Sequence, residues 1–179
     1  FNVNILPVND APVLTVTPSS PVLEVTDSPT TMAEAATYEA DRLLASSATV
    51  TDVDSDHFKL SLVFVGATVA DAPNVPVPTL RESITDFEII PDPGSKTLFT
   101  IQAKSGPARD ELTPAQVKEV IEGLFLEAGN RLPPGPTPYD FTMTLQLVDV
   151  PKHNGRSSRL RCSFPILTHR FLAPHRRNT

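Results

Sequence analysis

The sequence has no Trp, a single Cys and only 6 % aromatic residues among its 179 positions. With Cys162 as the sole thiol, an internal disulfide is impossible. Its alternate neighbours Leu160, Phe164 and Ile166 form one apolar face of a strand-like run, so the thiol reads as buried and inert. A bridge to another chain is the sharper alternative; a catalytic thiol needs a base, and none is identifiable. The scarcity of aromatics works against the stacking platforms that sugar sites use. No apolar run approaches the ~18 residues of a membrane helix. Motifs of hydrolases, zinc proteases and nucleotide binders (G-x-S-x-G, H-E-x-x-H, the P-loop, GxGxxG) are missing. His57, His153, His169 and His175 show no metal-ligand spacing. These absences point away from an enzyme. No N-x-[ST] sequon occurs, so N-linked glycans are not expected, whereas the Pro/Ser/Thr-rich stretches leave O-linked sugars open.

Acidic residues are missing from one end. The first 150 residues hold all 21 acidic residues against 8 basic ones, a balance of −13, while residues 151–179 carry 7 basic residues and no acidic one. Without aromatic interleaving or a binding motif, the basic end does not read as a nucleic-acid surface. An acidic neighbour, either the next copy or another subunit, fits it better. The opening "FNVNILPVND" has neither a basic start nor a small-residue cleavage site, so it does not read as a signal peptide. It begins on strand-like alternation, which reads as a piece of something longer.

Proline, by contrast, is plentiful: 19 residues, scattered and clustered in "PSSP" and "RLPPGPTP". Such punctuation excludes long helices and favours short extended segments rich in Val, Thr, Ile and Leu. Strand-like runs are expected at 1–8, 13–17, 22–26, 47–51, 57–65, 84–90 and 97–103, the last two joined as a hairpin by "PDPGSK". Residues 28–46 admit a short helical turn, and "ADAPNVPVPT" reads as a surface loop. One helix is predicted near 113–128. Thr113 is an N-cap, Pro114 suits the first position and Gln116 completes a capping box. Val117, Val120, Ile121, Leu124 and Phe125 form its apolar stripe, with Gly129 as its end. Asp110 and Glu111 are adjacent and would point oppositely in a strand, so they read as complements to the helix N-terminus rather than as a catalytic pair. Two long strands close the domain, "YDFTMTLQLVD" and "RSSRLRCSFPIL", with Asn154-Gly155 as a hairpin turn. The class expected is all-β, an antiparallel β-sandwich with one inserted helix.

The stretch "ATVTDVDSDHFKLSLV" sets Asp52, Asp54 and Asp56 at every second position. It is not an EF-hand: His57 stands where the loop needs Gly, Val63 where it needs a bidentate Glu, and the flanks are strands. Two readings stay open. A hard cation such as Ca²⁺ would relieve the repulsion of clustered carboxylates, with further oxygens from Asp10, Glu34 or Asp149 to fill a shell of about 6–8. Alternatively, the aspartates form a solvated acidic corner that caps turns.

"VNILPVNDAPVL", the "LLASSATVTDVDSD" run with the strand after it, and "DELTPAQVKEVIEGLFLEAGNRLPPGPTPYDFTMTLQLVD" occur in an order that resembles the cadherin-like tandem repeats of large surface adhesins. The resemblance covers roughly residues 3 to 167. It implies an immunoglobulin-like or cadherin-like β-sandwich, repeated along an extracellular or cell-surface protein, often with Ca²⁺ at the joints. It places Asn9 and Asp10 at the junction, matches Asp52 and Asp54 to the acidic D-x-D pair, Glu34 to the acid of an early strand and Asp149 to the Asp closing the penultimate strand. Pro7 stands where cadherin junctions carry another acid, and Arg42 lacks the Glu that follows it in the family. The implied division is 1–10 as the end of a preceding repeat, 11–167 as the module and 168–179 as a basic tail. The function implied is structural: spacing, adhesion or filament assembly, with neighbouring repeats or other copies as partners and no insertion into the membrane. A carbohydrate- or surface-binding sandwich is the alternative.

Overall fold

The computed structural model describes residues 10–19, 23–25, 43–65, 77–127, 139–150 and 159–168. The expected strand at 1–8, the Asn154-Gly155 turn, residues 28–42 of the stretch 28–46 that admitted a helical turn and the basic tail after Thr168 lie outside these residues; the described end of that stretch is extended, with Ala45 opening a strand. Ten strands and one helix are described: β1 (Val13–Pro18), β2 (Leu23–Val25), β3 (Ala45–Thr51), β4 (Phe58–Val65), β5 (Val77–Leu80), β6 (Phe87–Asp92), β7 (Ser95–Ala103), α1 (Pro114–Gly123), β8 (Leu124–Glu127), β9 (Tyr139–Asp149) and β10 (Arg159–Thr168). The described residues are mainly β, with one short helix among them, as the alternation predicted.

One layer is a six-stranded sheet in the order β2-β10-β9-β4-β7-β6. Its pairs are antiparallel except β2 on β10, which is parallel. The second layer is made of two ribbons, β1-β3 and β5-β8. They meet where Leu43 bridges Phe125 and the Leu44 N–H donates to the Leu124 carbonyl at 2.8 Å. Strand periodicity explains the core between the layers: Phe58, Leu60, Leu62 and Phe64 of β4 are buried, and so are Met143, Leu145 and Leu147 of β9. β3 contributes Ala45, Ala48 and Val50 to the same cluster. Full burial of each large side chain stabilises by about 1.5–3 kcal/mol. Phe64 meets Phe99 edge-on, with ring centroids 5.9 Å apart, an arrangement that aromatic quadrupoles favour.

The helix begins as the sequence predicts. Thr113 accepts from the Gln116 N–H, and the Gln116 side chain accepts from the Thr113 N–H at 2.9 Å. Val117, Val120 and Ile121 are buried. It ends earlier than predicted, however, at Gly123. Leu124 is already extended (φ −81°, ψ 131°), and 124–127 is strand β8, paired with β5. A second correction concerns "ADAPNVPVPT": its last residues, 77–79, belong to β5. Pro is tolerated there because β5 pairs with β8 alone among the described strands.

Candidate metal centre

At one end of the sandwich, the turn between β3 and β4 meets the end of β9. Backbone pairing sets the meeting point. Phe58 lies in register with Asp149, and the Val150 N–H donates to the His57 carbonyl at 2.9 Å. Asp149 follows Met143, Leu145 and Leu147 on the inward side of β9, so its carboxylate sits at the end of the core, 1 % exposed. Across from it the 52–55 turn closes on its first residue. Asp52 Oδ1 accepts from the N–H groups of Asp54 (2.9 Å) and Ser55 (3.0 Å), the local side-chain-to-backbone bonding that makes Asp a turn former.

This folding gathers Asp52, Asp54 and Asp149, each with a carboxylate oxygen within 4.8 Å of the others. Asp10 arrives from the N-terminal side: its main-chain N–H donates to Asp54 Oδ2 at 3.2 Å. Asp56 is not part of the group. It is exposed and contacts His57 Nδ1 at 2.8 Å, because the turn carries it away from the three. Glu34 lies outside the described residues.

Asp54 carries the electrostatic mark of crowding. The neighbouring Asp52 carboxyl raises the Asp54 pKa above its usual 3.8; desolvation adds to this and the Asp10 N–H opposes it. Three oxygens are removed from water yet have no hydrogen-bond partner: Asp52 Oδ2, Asp54 Oδ1 and Ser55 Oγ. All three belong to one turn. Buried polar atoms are ordinarily satisfied, and hard cations bind such oxygen sets; the donor set, all oxygen, suits a divalent cation of that kind. Ser55, only 6 % exposed, is absent from the set expected from sequence. Its place directly after the D-x-D pair was the one available signal.

A second hollow lies against β6 and β7, about 440 Å³, lined by Ile90, Asp92, Thr100, Gln102 and Arg109 among others. Its charged groups are already engaged. Arg109 pairs with Glu88 and donates to the Ala103 carbonyl at 2.8 Å, Asp110 takes Lys59 at 2.6 Å, and Asp92 accepts from Gly94. It offers no convergent unpaired group for chemistry.

No family model and no curated protein matches the chain. Among solved structures it is similar to AggA, the major subunit of aggregative adherence fimbriae type I of Escherichia coli, at 12 % identity, over 94 % of this chain and 100 % of that one, with a TM-score of 0.32. Similarity at that level assigns neither a family nor a function.

Proposed function

We propose that this chain is a calcium-stabilised β-sandwich module of the cadherin-like kind, serving as a spacer or assembly unit in an extracellular or cell-surface protein. The observation that carries the reading is the gathering of Asp52, Asp54 and Asp149 within 4.8 Å, with unsatisfied dry oxygens on two of them. Three clustered carboxylates, one of them buried, are costly without a compensating charge. Ca²⁺ supplies that charge and accepts the irregular shell that the turn and strand end provide, whereas Mg²⁺ demands near-ideal octahedral geometry. Asp52, Asp54 and Asp149 would hold the ion. The ion's work here is structural, tying the β3–β4 turn to the end of β9. The order of sequence motifs that resembles cadherin-like repeats supports the placement outside the cell, and neighbouring modules or other copies are the partners on this reading. The paired state of the charges around the β6–β7 hollow favours a structural role over catalysis.

The test is a melting curve in excess Ca²⁺ and in chelator. Saturation at about 100 times Kd stabilises by about 2.7 kcal/mol. For a domain of this size that amounts to roughly 5–11 °C, at about 2–4 °C per kcal/mol. Asp149→Asn abolishes the difference between the two curves. Identical wild-type curves would return the aspartates to a solvated acidic corner.

A further inference from the structure

Resting on the cation reading above, we propose that Ser55 is an additional ligand of the same ion, its hydroxyl oxygen joining the carboxylates of Asp52, Asp54 and Asp149. Among the described residues, the only buried side-chain oxygens without a hydrogen-bond partner are Asp52 Oδ2, Asp54 Oδ1 and Ser55 Oγ. They lie within four consecutive residues, in the turn that supplies two of the three converging carboxylates. A serine hydroxyl can both donate and accept, so in a turn crowded with carboxylate oxygens it would ordinarily find an acceptor. This one has none, although Ser55 is 6 % exposed and cannot turn to solvent. Its backbone is already committed to the site: the Ser55 N–H donates to Asp52 Oδ1 at 3.0 Å. That bond occupies one Asp52 oxygen and leaves Oδ2 for the ion, and it fixes the residue that bears the hydroxyl next to the same carboxylate. A neutral oxygen meets a specific need there. Ca²⁺ takes about 6–8 oxygens, and each further carboxylate would add repulsion that a hydroxyl does not.

The proposal separates the hydroxyl from the charge of the cluster, and so does its test. Calcium chloride is titrated calorimetrically into the full chain as wild type, Ser55→Ala and Ser55→Cys, and cadmium chloride into the same three proteins. In Ser55→Ala the Ca²⁺ affinity falls on the order of tenfold, while the melting temperature in chelator is unchanged or higher, because the unsatisfied hydroxyl has gone. In Ser55→Cys a soft sulfur replaces the hard oxygen. Ca²⁺ binding weakens, and Cd²⁺ binding gains an ultraviolet sulfur-to-metal charge-transfer band as the thiol releases its proton to solvent. Wild type carries Cys162 alone and is the control for that band. Unchanged Ca²⁺ affinity in Ser55→Ala together with no new Cd²⁺ band in Ser55→Cys overturns the role of Ser55 and leaves the carboxylate site standing. A wild type that binds no Ca²⁺ overturns both.

Discussion

Gly123 closes α1 where an added side chain would meet Ile84. A Cβ there would overlap Ile84 Cδ1, the far end of a half-buried side chain, and stand 3.2 Å from Ile84 Cγ1. On propensity alone a helical Gly costs roughly 1 kcal/mol against Ala; the close approach of Ile84 explains why it is present. The same backbone accepts from the Arg81 N–H at 3.0 Å, which fixes the 81–84 turn against the helix end. Gly123→Ala is therefore expected to forfeit much of the roughly 1 kcal/mol that propensity would give it, because Ile84 must turn aside to admit the methyl. In an Ile84→Val background, where Cδ1 is missing, urea denaturation should show the substitution as more favourable. Equal effects in both backgrounds would mean that the contact with Ile84 is not the cause. At this scale, sequence reading succeeds where the partner is local and fails where it is distant. Thr113 and Gln116 are three residues apart, and their reciprocal bonds are legible. Asp110 reads as a complement to the helix N-terminus, yet its recorded partner is Lys59, 51 residues away. Lys59 pulls the Asp110 pKa below its usual value, and its own is raised in turn. Nothing local announces that pair.

At the scale of elements, β4 and β9 were readable because each sets its large apolar residues at alternate positions and buries them. The helix end was not. Leu124 and Phe125 continue the helical stripe, and both are buried, but as members of β8. Three successive buried residues, Leu124 to Leu126, belong to a strand covered on both sides, a pattern that short windows cannot distinguish from a buried helix face. The helix has a further task that periodicity does not reveal. Glu122 Oε1 accepts from the Ala48 N–H of β3 at 2.9 Å. This satisfies a main-chain donor on the side of β3 away from β1, where a bare edge would otherwise be left. Glu122→Ala should cost about 1–3 kcal/mol, the penalty of an orphaned buried donor. Glu122→Gln, which keeps an acceptor oxygen, should cost much less. Amide exchange at Ala48 reads the difference, and equal exchange in the two variants would show that the contact is incidental.

On the scale of the whole molecule, the candidate centre joins parts of the chain that no sequence window holds together. Asp52 and Asp54 precede β4, Asp149 ends β9 nearly a hundred residues later, and Asp10 reaches Asp54 from ahead of β1. The D-x-D pair was legible as an acidic turn and Asp149 through its place in the motif order. Their convergence on one cation was expected only as one of two open readings and from the motif order, since no sequence window shows the register that sets Phe58 against Asp149. That topology predicts where an ion should act. β4 and β9 are locked by core side chains and by pairing along their length, so removing the ion leaves their amides protected. The 52–57 turn and the segment from Asp10 into β1 hold to the site chiefly through Asp52 and Asp54. Repulsion among the carboxylates should loosen them first, since local openings draw on the least contact-rich parts of a structure. Hydrogen exchange in excess Ca²⁺ and in chelator is therefore expected to differ at residues 10–18 and 52–57, with little change at 60–64 and 143–147. Uniform acceleration across β4 and β9 would mean that the ion supports the sandwich as a whole. No acceleration anywhere would mean that the acidic end of the molecule stands without one.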